Sequence, residues 1–306
     1  MRKWFVLFAA SIFAVAACGA RTGLRVDATV VEPTDAGPNV EDADAPGKPD
    51  VVVTDCEEAG VSYIYLISSE NELLRFYPPD LGITTIGTIA CPTNKGGAPF
   101  SMAVDRHGIA YVLFSTGEIF RVSTLTAACT ATTYISDINI FPQTFGMGFS
   151  ANKNDPGESL FVAGTTQTDP NGMSRLGVID TESFAVAVGA PLDQNIGSPE
   201  LTGTGDSRLF GFGPATTTNP DSHLAEIDKG TSAILSDEIL DLQQTAISAW
   251  AFAFWGGDFY FFTSEQQGTS LIHRYTPGET TTLPLLKQLD GLTIVGAGVS
   301  TCAPSE

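Results

Sequence analysis

Positive charge is what this chain lacks most. Fifteen Lys and Arg stand against 35 Asp and Glu, a net charge of −20 over 306 residues. So acidic a balance argues against nucleic acid as a partner and against a polybasic membrane patch, because both are held through Lys and Arg. Histidine is nearly as scarce. His107, His223 and His273 are far apart, and no HxH or HExxH spacing occurs, so no metal site is expected. No G-x-S-x-G elbow is present, which argues against a serine hydrolase of that kind. Gly203-Thr204-Gly205 lacks the Lys and the helix that a phosphate loop uses. Amphipathic helical patterning is confined to Ser236–Gln244. No catalytic set and no cofactor is expected.

Long apolar runs are missing as well. The longest, residues 4–17 (WFVLFAASIFAVAA), is shorter than the ~20 residues that cross a bilayer. It follows Arg2 and Lys3 and ends in Val15-Ala16-Ala17-Cys18. A basic start, an apolar middle and small residues before the cut mark a secretory signal. A cysteine directly after the small residues resembles the bacterial lipobox, in which that cysteine is acylated and becomes the mature N-terminus. Residues 1–17 are therefore expected to be a lipoprotein signal peptide, with Cys18 as the lipidated residue and the membrane reached through its acyl chains. Two or more chains anchor stably where one does not. Gly19 stands where an aspartate would signal inner-membrane retention, so the outer membrane or cell surface is the expected location.

Residues 18–58 read as an acidic, disordered linker. After Arg25, ten carboxylates face one base, Lys48, and prolines recur at 33, 38, 46 and 49. Low hydrophobicity with high charge cannot offset chain entropy, and such a stretch reaches ~30 Å or more. Val51-Val52-Val53 is its only strand-like run.

Residues 59–306 are rich in Gly, Thr, Phe and Val, and a pattern recurs five times. An apolar pair with an aromatic second residue appears as Ile64-Tyr65, Ala110-Tyr111, Leu160-Phe161, Leu209-Phe210 and Phe259-Tyr260. Each copy is followed by a second motif: LLRFY at 73–77, IFRVS at 119–123, LGVID at 176–180, LAEID at 224–228 and IHRYT at 272–276. Before each aromatic pair comes a strand with a small residue near its middle: Ala103, Gly148, Gly203 and Ala253 in turn, with Gly298 left at the C-terminus. Four short strands per repeat of about 50 residues is the pattern of a propeller blade. The expected fold is all-β, a five-bladed β-propeller, with six blades as the alternative. The first unit lacks its first strand and Ile294–Thr301 has no unit after it, so the C-terminal strand is expected to close the first blade and remove the free sheet edges.

Four cysteines remain after Cys18, an even number in an exported chain, and two disulfides are expected from three connectivities. Cys56 precedes the second strand of the first blade and Cys302 ends the strand that closes it, so they are paired. That leaves Cys91 with Cys129, although the expected register puts these two apart.

The chain resembles a group of myxobacterial cell-surface lipoproteins with propeller domains. The resemblance rests on CGARTG (18–23), GTIACP (87–92), PFSMAVDRHGIAYVLFSTGEIFRVST (99–124) and TFGMGF (144–149). It implies the location and the fold, and it brings no catalytic residue.

Some five-bladed propellers are glycosidases, which need two opposed carboxylates. Asp105, Asp206 and Asp258 fall in turns on the wrong face, and only Glu200 sits near the usual ligand face. The loops there, 165–174, 214–222 and 264–270 between second and third strands and 136–144 and 236–249 between blades, are rich in amides and hydroxyls. Gln167, Asp169, Asn171, Glu200, Asn219, Gln266 and Trp250 are the expected ligand-face residues. The expected function is a non-enzymatic binding or scaffold module for a glycan, peptide or protein. The alternative is a propeller-type glycosidase or lyase.

Overall fold

The computed structural model describes residues 56, 63–93, 96–165, 172–217 and 219–306. The expected signal peptide, Cys18, the expected linker apart from Cys56, and the expected ligand-face residues Gln167, Asp169 and Asn171 lie outside the described residues.

The described chain forms twenty strands in five four-stranded antiparallel sheets. The second blade holds β4 (Pro99–Val104), β5 (Ile109–Phe114), β6 (Ile119–Ser123) and β7 (Cys129–Ala131). The third holds β8 (Gly146–Ala151), β9 (Glu158–Thr165), β10 (Ser174–Ile179) and β11 (Val186–Pro191). The fourth holds β12 (Glu200–Gly203), β13 (Leu209–Gly213), β14 (Ser222–Ile227) and β15 (Ile234–Leu240). The fifth holds β16 (Ala249–Trp255), β17 (Asp258–Ser264), β18 (Thr269–Tyr275) and β19 (Leu285–Asp290). The first blade is completed from the far end of the chain. Its order is β20 (Ile294–Val299), β1 (Ile64–Ser68), β2 (Glu72–Tyr77) and β3 (Gly82–Thr88), with Ile64 opposite Val299 and Tyr65 opposite Gly298. This is the five-bladed propeller and the closure expected from the repeat.

The five first strands pack side by side in a ring, β20–β4–β8–β12–β16 and back to β20. Their small residues are where neighbouring backbones touch. A Cβ built on Gly203 would lie 2.2 Å from the carbonyl oxygen of Phe149, and one on Gly148 would lie 2.7 Å from the backbone of Leu201. Only glycine lets these strands approach so closely.

Apolar side chains then fill five wedges, one per pair of adjacent blades. Tyr65 packs with Met102 and Val104, Tyr111 with Phe149, Phe161 with Leu201, Phe210 with Phe254, and Tyr260 with Phe76. Tyr111 and Phe149 meet edge to face at 5.3 Å, and Tyr260 and Phe76 at 5.7 Å, the favoured aromatic geometry. Exposure grows outward through each blade: β8 is buried at every position, while β11 is exposed over its middle four. That gradient explains why the first two strands read as continuous apolar runs and the fourth does not.

Cys56–Cys302 and Cys91–Cys129 are both formed, with Cα separations of 5.5 and 5.1 Å. The first ties the incoming chain to the residues just after β20. Cys91, in the crossing out of the first blade, packs into the wedge that also holds Cys129, so the second bridge spans two blades. One expectation is corrected. Ser236–Gln244 is not helical: it holds most of β15, ending at Leu240, followed by an irregular crossing. Leu235 and Ile239 are exposed there, and Asp237 and Glu238 pair across to Ala225 and Leu224. It is an edge strand open on both faces, which blurs the alternation that marks a half-buried strand.

Candidate functional site

Every first strand starts at one face of the disc. The crossings between blades and the second-to-third-strand turns lie on that face. The opposite face carries the first-to-second-strand turns and Cys302.

Three neighbouring cavities open on the first face, of about 340, 150 and 490 Å³. The smallest sits over the axis, between Phe100 at the start of β4, Glu200 at the start of β12, Trp250 on β16 and Val295 on β20. The second is bounded by the crossing from the second to the third blade, with Ile138, Pro142, Gln143 and Phe145, and shares Phe100, Glu200 and Trp250 with the first. The largest runs outward over the fourth blade past Asn195, Thr216 and Asn219. Trp250 lines all three, so the cavities adjoin at the indole, and together they are called the groove. The indole N–H is buried and has no acceptor. A buried donor without a partner costs free energy, so its presence in the groove wall asks for an explanation.

Glu200 is almost fully buried and accepts a 2.6 Å hydrogen bond from the Ser101 hydroxyl across the axis. Burial pushes its carboxyl up to about 8, against the smaller pull of hydrogen bonds from Ser101 and the Met147 backbone N–H. At neutral pH the group carries its proton. It is the only charged-type side chain among the described residues that line the three cavities.

The opposite face is built differently. There Glu158 accepts from Thr301 at 2.6 Å and from the Arg106 backbone N–H at 2.7 Å, and Asp105 takes the backbone N–H groups of His107 and Ile109. The Lys229 ammonium donates to Ser150 and to the Ala151 carbonyl, joining the fourth blade to the third. Burial raises the Asp105 and Glu158 carboxyls and lowers Lys229. Glu158 and Lys229 are thus spent on holding blades together, and Asp105 on its own β4–β5 turn.

Of the expected ligand-face residues, Glu200, Asn219 and Trp250 come together in the groove. Gln266 does not: it is exposed in the β17–β18 turn and lines none of the three cavities. Asp105, Asp206 and Asp258 lie at the other face, as their turns predicted. Phe100, Ile138, Gln143 and Asn195 were not singled out in the sequence. Ile135, Ile138 and Ile140 are all exposed in the 132–145 crossing, Ile135 by 84%. The isoleucines at 135, 138 and 140 were the trace of that crossing in the sequence, and their exposure shows only in the fold.

His273 is buried in β18 with its Nδ1 unpartnered, and desolvation pushes its imidazole down to about 4. His223 Nδ1 lies 2.8 Å from Asp237 on the adjacent strand, and His107 sits in a turn. Among the described residues no group of His, Cys, Asp and Glu is placed to hold a metal ion.

The fold and this groove define the class: an all-β, five-bladed propeller with a cavity system on the loop face. Comparison with known proteins adds little to that. No protein-family model matches the sequence, and no curated protein matches it. Among solved structures the chain is similar to TolB from Acinetobacter baumannii, with a TM-score of 0.41 and 13% identity over 74% of this chain and 52% of that one. The chain thus spans about half of the TolB structure, and no functional assignment follows from the likeness.

Proposed function

We propose that this protein is a lipid-anchored binding or scaffold propeller of the outer membrane or cell surface, akin to the myxobacterial lipoproteins that its N-terminus and first blades resemble. The observation that carries the reading is the placement of the groove. Its three cavities share Trp250 on one face, while the chain enters at Cys56, tied to Cys302 on the other. A cavity face opposite the Cys56–Cys302 bridge suits a glycan, peptide or protein partner. Two of the three cavities, of about 340 and 490 Å³, are within the ~300–1,000 Å³ range of ligand sites, and the set combines aromatic walls with a few polar groups.

The anchor is tested directly. Cys18→Ala should move the protein from the membrane fraction to the soluble one, because no helix among the described residues is long and apolar enough to cross a bilayer. Retention in the pellet after a carbonate wash would remove the lipoprotein assignment. The binding face is tested by selecting ligands from peptide and glycan libraries on the wild-type chain and on Trp250→Ala. Selection that ignores the substitution would remove the site.

A glycosidase reading has one observation in its favour. Glu200 is a proton-carrying acid in a cavity, which is what a general acid requires. Glycoside hydrolysis also needs a second carboxylate across the bond, and among the described residues the cavities supply none. Turnover of any polysaccharide that Glu200→Gln abolishes would replace the binding reading by this one.

A further inference from the structure

We propose that the Trp250 groove binds an uncharged glycan chain; this rests on the binding-module reading above and names its ligand. The first argument is charge. The chain carries 35 carboxylates, yet the groove is lined by none except Glu200, which burial keeps in its acid form at neutral pH against the weaker pull of the Ser101 hydroxyl. Three carboxylates of the surrounding loops are engaged with neighbouring loop groups instead. Asp137 accepts from Asn139, Asp193 from the backbone N–H of Ile234, and Glu265 from those of Thr245 and Ala246. They leave an acidic rim around a neutral floor. Such a rim repels anionic polymers and gives a neutral one nothing to overcome.

The second argument is the pairing of surfaces. A sugar ring has an apolar face of C–H groups and an edge of hydroxyls that both donate and accept. The groove offers Trp250 and Phe100 as flat walls where the cavities meet over the axis. Along its outer arm it offers Asn195, Thr216 and Asn219, side chains that also donate and accept. Covering that arm with a protein helix or a fatty chain would desolvate these polar side chains, at a cost.

The third argument is extent. The cavities lie side by side from the axis out over the fourth blade, all bordered by Trp250, an extent that suits several units of a linear chain. A peptide could add to a free strand edge instead. In the groove wall, however, β4, β12 and β16 are each paired within their own sheet and packed against neighbouring first strands.

The test is titration of the detergent-solubilised full chain at pH 6.5, followed by calorimetry and by tryptophan fluorescence. The probes are cellohexaose, xylohexaose, mannohexaose and maltohexaose as neutral chains, polygalacturonate as an anionic one, and a proline-rich decapeptide. At least one neutral hexasaccharide should bind. Trp250→Ala should weaken it tenfold or more, Trp250→Phe should keep most of the affinity, and Asn219→Ala should weaken it several-fold with an unchanged melting temperature. No neutral hexasaccharide binding at millimolar concentration would overturn the proposal, and so would binding indifferent to Trp250→Ala. Trp250-dependent binding of polygalacturonate would overturn the neutral-ligand claim. Trp250-dependent binding of the decapeptide alone would remove the glycan and leave the binding face standing. Library selection that returns nothing dependent on Trp250 would remove both.

Discussion

Replacing Glu200 by Gln changes the pH dependence of folding in a way the structure dictates. The carboxyl sits at the start of β12, nearly without solvent, with Ser101 donating to it and its acid stabilised up to about 8 against an ordinary value of 4.5. Between those two values the folded state holds a proton that the unfolded state has released. Stability therefore falls as pH rises through this window, and the group's full contribution is present below about 4.5. Each pKa unit corresponds to about 1.4 kcal/mol, so ionising Glu200 in place costs a few kcal/mol. That is a sizeable share of a domain's typical net stability of about 5–15 kcal/mol. Glutamine is close in shape to the protonated acid, can accept from Ser101, and does not titrate. The assay is urea unfolding at pH 5, 6, 7, 8 and 9 for wild type and Glu200→Gln. Other titrating groups act equally in both chains, among them His273, whose depressed value makes stability fall as pH drops from about 6.5 toward about 4. The difference between the two chains isolates Glu200. The variant should be close to wild type at pH 5 and more stable by a few kcal/mol at pH 9. Two curves that stay parallel from pH 5 to 9 would refute the buried, proton-carrying carboxyl.

The remaining predictions concern the ring and its closure. Gly203→Ala forces a Cβ to within 2.2 Å of the Phe149 carbonyl, and should lower stability by about 1–3 kcal/mol or more. Gly230→Ala, whose Cβ would meet only the Asp228 carboxylate at 3.5 Å, should change it by less than about 1 kcal/mol; equal melting temperatures for the two variants would refute the close-packed ring. Cys302→Ser opens a bridge between residues 246 apart, and chain-entropy estimates for loops this long approach ~5 kcal/mol. A chain ending at Leu292 loses β20 as well, so it should be less stable than Cys302→Ser in the same thermal melt, and the reverse order would mean that β20 does not hold the first blade.

The blade count was legible because three strand types recur together. A small-residue strand, an aromatic strand and an alternating strand are each demanded by a different neighbour: the adjacent first strand, the wedge and the blade's outer edge. No other β architecture asks for all three in that order at a period of about 50. Closure followed from a strand missing at one end and spare at the other, and it brought Cys56 to Cys302. The Cys91–Cys129 bridge was harder to see. It joins a crossing to β7, the fourth strand of the next blade, which has only three residues and is largely exposed, so it gives a weak register signal. One repeat went unread. Ser123, Asp180 and Asp228 each cap the turn after a third strand by accepting backbone N–H groups two and three residues on, and the fourth residue after each, Ala127, Phe184 and Ser232, has positive φ. Asx and Ser turns of this kind are visible in sequence only as D-x-x-S/T spacing, a weak pattern on its own.

The site was legible only where chemistry and position agreed. Glu200 stood out because it alone of the candidate carboxylates lies near the loop face on a first strand, and Trp250 because it follows the amide- and hydroxyl-rich 236–249 loop. Phe100, Ile138 and Phe145 did not stand out. On a propeller, an apolar residue at the mouth of the axis and one in a wedge read identically, and only the packing of the neighbouring crossing decides which remains open. Gln266 failed for the opposite reason: its loop has the same polar composition as the 214–222 loop, but it follows β17 on the fifth blade, away from the groove that spreads over the fourth. What separates Asn219 from Gln266 is therefore the cavity beside Trp250 and not residue type. A ligand that reads this face must touch the groove floor, and substitutions at Gln266 should leave its affinity unchanged while those at Asn219 do not.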